Sequence, residues 1–346
     1  LRFSRSPSAL LLVGGLAGLG ALVRGNLLVL GPLLCAWPFL RALCANASLA
    51  LASKQSALFG VAWCLTLAPA CLHNAFVAGV WTPTSGAGTN FAIGNSLENP
   101  WGRPGELEFV RGIPEYEADD WRNEAERRTG RALGQAEVSS YWLRETLASM
   151  RAQPLAHLAQ LARKLRLALS TYEVPDNHHL DWDAQYVPVL QWPLPGFGLW
   201  GWLGLAGLFA TRLGRTSRGT RDGDGAGEVA LLFLLYLGTI VVTMTSMRIR
   251  LGLVPLLLPF AGAFVIRAIA VLRRPSGRLR EIARLALVLS GAGAIVHAPT
   301  IDEATRVEDW LGRDFNLAAT LERAGDWRSA QPIALALDAG QPGTAR

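Results

Sequence analysis

The stretch LGLVPLLLPFAGAFVIRAIAVL, residues Leu251 to Leu272, holds one charged side chain, Arg267. A helix needs about 20 mainly apolar residues to cross the hydrocarbon core of a bilayer, so this stretch predicts a transmembrane helix. Similar windows are Ala9 to Val23, Leu27 to Leu43, Ala57 to Leu72, Gly196 to Ala210, Val229 to Met244 and Leu285 to Ala298. Because 51% of the residues are hydrophobic and only 17% are charged, we predict an all-α, polytopic transmembrane helical bundle with about seven spans.

The basic residues indicate how this bundle is oriented. They concentrate in short segments that seven spans would place on the same side, before the first span and between later ones: Arg2, Arg5, Arg41, Lys54, Arg212, Arg215, Arg218, Arg221, Arg273, Arg274, Arg278, Arg280 and Arg284. Lys and Arg in short loops mark the cytoplasmic side of a membrane protein, so residues 73–195 and the segment after Pro299 are expected on the opposite side. Because these basic loops lack interleaved aromatic residues, we expect no nucleic-acid partner.

The chain therefore divides into four predicted segments. Residues 1–72 hold three spans, residues 73–195 form an extracytoplasmic lobe, residues 196–299 hold four spans, and residues 300–346 form a helical tail. The lobe is expected to be mostly helical, with helices over Trp121 to Arg131 and Glu137 to Met150 and a third beginning at Pro154.

The helix that begins at Pro154 has an amphipathic pattern. Its apolar face carries Leu155, Leu158, Leu161, Leu165 and Leu169, and its polar face carries Arg163, Lys164 and Arg166. A basic amphipathic helix of this kind commonly lies in a membrane interface. The same pattern also fits a core helix of a soluble lobe, and the sequence leaves both possibilities open.

Metal binding is not predicted. The adjacent His178 and His179 lie near Asp181 and Asp183, but neighbouring residues of an extended chain point apart, and no His pair has helical i, i+4 spacing. The four cysteines, Cys35, Cys44, Cys64 and Cys71, lie within or beside apolar runs and are expected to be packing residues.

The tail predicts two short helices joined by a turn. The turn is Ala324-Gly325-Asp326, and Pro342 ends the second helix. This pattern resembles one tetratricopeptide unit, whose period is about 34 residues. Because a single unit cannot bury its faces, we expect further repeats after Arg346 and protein partners that bind them.

The uncharged segment Thr84 to Asn95 is expected to be an extracytoplasmic loop. It lacks the Gly-Lys-Ser/Thr of a phosphate-binding loop and the third glycine of a dinucleotide-binding fingerprint. Its neutral hydrogen-bonding side chains favour a sugar ligand. A second glycine cluster, Gly14 to Gly20, lies inside an apolar run and predicts close packing between helices.

Several motifs occur in the order found in a known family. They are GLAGLGALVRGN at 15–26, His73-Asn74, GTNFAIGN at 88–95, Arg163-Lys164-Leu165 leading to YEVPDN at 172–177, and SMRIRL at 246–251. Over roughly residues 10 to 345 the chain resembles bacterial membrane glycosyltransferases of the GT-C superfamily, which include relatives of protein mannosyltransferases and of the lipid A aminoarabinose transferase.

The resemblance implies transfer of a sugar from a polyprenyl-phosphate donor on the non-cytoplasmic face of the inner membrane. The family's catalytic carboxylate lies in its first outer loop. No match to that loop precedes Ala9, so the catalytic residue is expected upstream of this sequence. No cofactor is implied beyond the lipid-linked sugar, which is the donor substrate.

The predicted site residues follow from this chemistry. Arg248 and Arg250, with Lys164 as a further candidate, are expected to bind the donor phosphate. Asn90 and Asn95 are expected to bind sugar hydroxyls, and Glu173, Asp176 and Asn177 to bind the sugar or the acceptor. The alternative function is a non-catalytic membrane scaffold that displays tetratricopeptide repeats to protein partners.

Overall fold

The computed structural model describes residues 6–44, 48–84, 86–105, 107–110, 114–176, 179–192, 196–213, 225–274 and 279–338. In these ranges the chain is helical and contains no strand, which confirms the all-α fold class. The α-helices are α1 Pro7–Val23, α2 Leu30–Cys44, α3 Leu49–Ala78, α4 Ala87–Asn95, α5 Pro114–Thr129, α6 Gln135–Ala152, α7 Pro154–Leu169, α8 Leu180–Asp183, α9 Phe197–Leu213, α10 Ala226–Val242, α11 Met247–Arg250, α12 Val254–Leu272, α13 Leu279–Val296, α14 Glu303–Arg323 and α15 Trp327–Asp338. Short 3₁₀ segments occur at Gly25–Val29, Pro188–Gln191 and Leu251–Leu253.

Three of the described helical stretches are long and apolar enough to cross a bilayer: Gly25–Leu43, Leu49–Ala78 and Met247–Leu272. The helices Pro7–Val23, Phe197–Thr211 and Ala226–Val242 are apolar but shorter. The last predicted span falls in α13, whose first turns carry Arg280, Glu281 and Arg284. These lengths and compositions indicate a membrane protein, and the number of seven spans stays a prediction.

The long apolar helices present large apolar side chains outward. Leu65 and Phe76 on α3 and Ile266 on α12 are all exposed. Soluble proteins rarely expose wide apolar patches, and such patches mark contact with lipid or with another protein. The outward side chains are those expected of helices that face acyl chains.

The chain forms two compact units that combine segments distant in sequence. Unit 1 comprises Leu1–Leu165 and Gly219–Thr245, and unit 2 comprises Arg166–Arg218 and Ser246–Arg346. These units do not follow the four predicted segments, because each of them contains apolar helices together with part of the predicted lobe.

Unit 1 contains a close helix pair, α1 and α3. A Cβ on Gly14 would lie 2.4 Å from the carbonyl oxygen of Phe59, and a Cβ on Gly18 would lie 2.7 Å from the Cβ of Thr66. Small residues allow helices to approach in a membrane, where lipid is as apolar as the side chains and packing supplies the attraction. The close packing predicted from the glycine cluster is therefore confirmed at these two positions.

The lobe part of unit 1 has an aromatic core between α5 and α6. Trp121 and Trp142 pack edge to face with ring centroids 4.7 Å apart, and Trp142 Nε1 donates a hydrogen bond to the carbonyl oxygen of Trp121 at 3.1 Å. Phe109 stacks on Trp142 at 5.2 Å. The two predicted helices of this region are confirmed, with α5 starting earlier than expected.

The segment Thr84 to Asn95, expected as a loop, is mostly the helix α4. Gly88 lies against α6, where its N–H donates to Ser139 Oγ at 2.9 Å and a Cβ would lie 1.8 Å from the Ser139 carbonyl oxygen. Gly, Thr and Asn have low helix propensity, so the pattern alone does not predict this helix. Tertiary packing against α6 accounts for it.

Unit 2 is built on α9, which packs against α12 and α13. A Cβ on Gly204 would lie 2.5 Å from the Cβ of Leu257, and Trp202 Nε1 donates to the carbonyl oxygen of Leu289 at 2.8 Å.

The tail forms α14 and α15, joined at Gly325 with φ 79°, a left-handed conformation that glycine adopts without strain. The two-helix tail is confirmed, and its assignment to a tetratricopeptide repeat stays a prediction.

Gly207→Ala should destabilise the protein by about 1–3 kcal/mol, as overpacking of a close-packed interface does. The reason is that the added Cβ would lie 1.9 Å from the backbone oxygen of Phe260. Gly262→Ala, on the facing helix α12, is the control, because its Cβ would meet no atom within 4 Å. Thermal unfolding in detergent should show a loss for Gly207→Ala alone, and equal losses would contradict this packing.

Candidate functional site

The turn that leads into α12 positions the two predicted phosphate-binding arginines. Ser246 caps the N-terminus of α11 with an extended backbone, and its Oγ accepts a hydrogen bond from Ile249 N at 3.3 Å. The N–H of Met247 donates to the carbonyl oxygen of Val174 at 2.9 Å, which attaches the turn to the Tyr172–Asp176 segment. Arg248 and Arg250 therefore lie beside the predicted acidic cluster, in the same unit.

Arg250 is completely buried. Its Nη2 lies 2.6 Å from Glu173 Oε2, and its Nη1 donates to the carbonyl oxygens of Ser170 at 2.7 Å and Leu167 at 3.2 Å. The guanidinium carbon lies 4.7 Å from the ring centroid of Phe197. Because Arg250 is enclosed by protein groups, it is not presented to a ligand in this structure.

Glu173 is equally enclosed. Its Oε1 accepts a hydrogen bond from the N–H of Phe197, the first residue of α9, at 2.5 Å, while Oε2 accepts from Arg250. A carboxylate is stabilised at a helix N-terminus by the unpaired N–H groups and by the helix dipole. Glu173 thus links Arg250 to the start of α9, and both of its oxygens are occupied by protein donors.

Arg248 has a different environment from Arg250. Its Nε lies 3.2 Å from Asp176 Oδ2, and its side chain is 56% exposed while that of Asp176 is 11% exposed. The guanidinium of Arg313 also hydrogen-bonds the Asp176 backbone oxygen. Arg248 is therefore a cation held in place by a half-enclosed carboxylate at one end of a helix of membrane-spanning length.

Helix α14 packs beside this cluster. The Tyr172 hydroxyl donates to Asp309 Oδ2 at 2.5 Å, and the guanidinium of Arg306 lies 5.3 Å from the Tyr172 ring. Trp182 Nε1 donates to Asp314 Oδ1 at 2.9 Å. The tail helix is thus attached to the loop that carries Glu173 and Asp176.

His179 is buried next to Trp310, with ring centroids 5.8 Å apart. Its Nδ1 accepts a hydrogen bond from Trp182 N at 3.3 Å, so the neutral ring carries its proton on Nε2. Burial lowers the pKa of the His179 imidazole, which favours this neutral form. Within the described ranges no three His, Cys, Asp or Glu side chains are grouped to hold a metal ion.

Lys164 belongs to a separate cluster, in unit 1. Its ammonium is completely buried and donates to the carbonyl oxygens of Gly94 and Thr243, each at 2.8 Å, and to Asn95 Oδ1 at 3.0 Å. Burial lowers the pKa of Lys164 from 10.5 to about 7, because the ammonium loses its hydration. The three oxygens offset part of this loss by accepting all three N–H groups.

Asn95 is buried and joins the ends of α4 and α10. Its Nδ2 donates to the carbonyl oxygens of Phe91 at 2.9 Å and Val242 at 3.0 Å, and its Oδ1 accepts from Lys164. Asn90 is exposed on α4, so it remains accessible to a sugar. The predicted site residue Asn177 lies outside the described residues.

Several residues that contribute to these clusters were not predicted. Gln160 Nε2 donates to the carbonyl oxygens of Ser96 at 2.7 Å and Asn99 at 2.8 Å. Gly102 has φ 56°, and a Cβ there would lie 2.6 Å from Cδ of Lys164. Nothing in the sequence indicated that the lysine side chain contacts this glycine.

The structure therefore pairs the predicted residues in three sets. Arg250 pairs with Glu173, Arg248 pairs with Asp176, and Lys164 bonds to Asn95. Of these cations only Arg248 is exposed. Comparison with known proteins adds no assignment: the chain matches no family model, no curated protein and no solved structure.

Proposed function

We propose that this chain takes part in transferring a sugar from a polyprenyl-phosphate donor to an acceptor on the non-cytoplasmic face of a membrane. The observation that carries the proposal is the position of Arg248 at one end of the apolar helix Met247–Leu272. An exposed guanidinium at the end of a spanning helix lies at headgroup depth, where a lipid-linked phosphate is also found. The resemblance to GT-C glycosyltransferases agrees with this chemistry.

The donor phosphate is assigned to Arg248 alone. Arg250 and Glu173 form an enclosed pair that fixes the turn on which Arg248 stands. The ion pair with Asp176 restricts the Arg248 side chain, which reduces the conformational entropy lost when a phosphate binds. A guanidinium suits this role because it donates two parallel hydrogen bonds to phosphate oxygens.

Asn90 is the candidate for the sugar hydroxyls. It is exposed, whereas Asn95 and Glu173 are enclosed and hydrogen-bonded to protein groups. A neutral amide donates and accepts hydrogen bonds and loses less hydration than a charged group would.

Arg248→Ala should weaken binding of undecaprenyl phosphate by at least about tenfold, because a hydrogen bond to a charged group contributes about 1.5–3 kcal/mol. The measurement is the rise in unfolding temperature of the detergent-solubilised protein with added undecaprenyl phosphate, since a ligand of the folded state stabilises it. Arg274→Ala, an exposed arginine after the other end of the same helix, is the control.

Arg248→Ala should also abolish sugar transfer while membrane insertion is retained. Unchanged affinity of Arg248→Ala for undecaprenyl phosphate would contradict the phosphate assignment. An equal loss of undecaprenyl phosphate affinity in Arg274→Ala would indicate non-specific attraction between charges. That result would also contradict the assignment of the phosphate to Arg248.

The second candidate function is a membrane scaffold. The α14–α15 hairpin carries an open cleft of about 470 Å³ lined by Ala318, Glu322, Trp327, Ala330, Gln331 and Ala334. The exposed Trp327 and Leu335 give this hairpin apolar surface that a partner could cover. Binding of undecaprenyl phosphate that depends on Arg248 favours the transferase, since a scaffold has no need of it.

A further inference from the structure

Helix α7 has the opposite polarity from a helix on the surface of a soluble domain. Its buried residues are the polar His157, Gln160 and Lys164, followed by Leu167 and Ala168 near its C-terminal end. Its outward face holds the leucines Leu155, Leu158 and Leu165, which are 80%, 59% and 41% exposed. Of the five leucines on the predicted apolar face, Leu161 and Leu169 are half-buried and the other three are exposed, so this face is turned mostly away from the protein, unlike that of a core helix.

Specific hydrogen bonds fix this orientation. Gln160 donates to the backbone of Ser96 and Asn99, Arg163 Nε donates to the carbonyl oxygen of Pro100 at 2.9 Å, and Lys164 donates to that of Gly94. Rotation of α7 to bury its leucines would break all of these bonds and leave buried oxygens without donors. The leucines therefore point outward because the opposite, polar face of α7 is held by hydrogen bonds to the protein.

The charged residues of α7 itself have one sign. No Asp or Glu occurs between Thr146 and Tyr172, whereas Arg151 is exposed at the end of α6 and Arg163 is half-buried on α7. Basic residues beside an apolar helical face match phospholipid, whose phosphates lie next to its acyl chains. Lipid is favoured over a protein partner because the described chain also contains helices long and apolar enough to cross a bilayer.

We propose that α7 lies in the membrane–water interface, with Leu155, Leu158 and Leu165 among the acyl chains and Arg151 and Arg163 at the phosphates. Through Gln160, Arg163 and Lys164 the helix then holds residues 94–100 at the bilayer surface. This lipid-binding surface is additional to the proposed donor site, and its test does not depend on sugar transfer.

The test places a fluorophore on the leucine face of the full chain. In a background without the native cysteines, Leu158→Cys is labelled with an environment-sensitive NBD group, and the protein is reconstituted into phosphatidylcholine vesicles. The exposed position makes the label compatible with the fold. Glu117→Cys on α5, which is also exposed, is the matched control.

Doxyl-labelled phosphatidylcholine should quench most of the fluorescence at position 158, and the emission there should be blue-shifted. The NBD group at position 117 should keep the emission wavelength that it has in water, and lipid quenchers should not reduce its fluorescence. An unquenched, water-like label at position 158 would overturn the proposal. Efficient disulfide cross-linking between copies at position 158, without lipid quenching, would also overturn it and would assign the face to a second copy.

Discussion

Arg250→Ala should lower the free energy of unfolding of the protein by about 3–5 kcal/mol, the usual result of removing one partner of a buried ion pair. The buried carboxylate of Glu173 would lose its counter-ion, and the oxygens of Ser170 and Leu167 would lose a donor. Unfolding of the detergent-solubilised protein, followed by circular dichroism, measures the loss.

Arg248→Ala is the matched control, two residues earlier in the same turn. Its pair with Asp176 is exposed on the arginine side, so its removal should change stability by only about 0–1 kcal/mol. The double variant Arg250→Met with Glu173→Gln removes both charges and should recover much of the loss, because no uncompensated charge stays buried. Similar losses for Arg248→Ala and Arg250→Ala would contradict the burial of Arg250.

Lys164→Met should also lower the free energy of unfolding strongly. Methionine fills a similar volume but removes the donor from the buried oxygens of Gly94 and Asn95, while the Thr243 oxygen keeps only the 3.3 Å bond from Asn95 Nδ2. Each buried acceptor left unpaired costs about 1–3 kcal/mol. Arg163→Met on the same helix is the control, because it removes one hydrogen bond of a half-buried side chain, to Pro100, with an expected loss of about 1 kcal/mol.

The same lysine should make stability depend on pH. The pKa of Lys164 is lowered to about 7 in the folded protein, while a lysine in an unfolded chain titrates near about 10.4. Between these values the unfolded chain binds more protons than the folded one, so the free energy of unfolding should rise with pH from about 7 to about 10. The rise should be smaller in Lys164→Met, and an identical pH profile would contradict the lowered pKa.

Sequence patterns predicted the helices well where periodicity and capping agree. Pro154 marked the start of α7, and the Ala324-Gly325-Asp326 turn separated α14 from α15. The pattern failed at α4, whose Gly, Thr and Asn residues are poor helix formers. This helix depends on Gly88 packing against Ser139, and such a contact between distant residues leaves no local signal.

The candidate site was only partly predictable. Arg248 and Arg250 were expected to act together, but residues i and i+2 of a helix point about 200° apart, so one side chain faces inward and the other outward. Helix geometry alone could therefore have predicted that one arginine is buried and the other is exposed. The partner of Arg250, Glu173, lies far away in sequence, and only the fold brings it within 2.6 Å.

Sequence periodicity also could not predict whether the leucine face of α7 is turned toward the protein or away from it. The pattern shows only that the leucines share one face. The buried Lys164 decides the matter, because a charged group is buried only where enough acceptors surround it. These acceptors are backbone oxygens of Gly94 and Thr243 and one side-chain oxygen, which the sequence does not place together.

Cysteine accessibility tests the central claim most directly, namely that Met247–Leu272 crosses a membrane with the Arg248 end on the non-cytoplasmic side. Single Arg248→Cys and Arg274→Cys variants, made in a background without the native cysteines, are exposed in spheroplasts to a membrane-impermeant maleimide. Arg248→Cys should be labelled in intact spheroplasts, and Arg274→Cys should be labelled only after lysis. Labelling of both variants before lysis, or of Arg274→Cys alone, would contradict it.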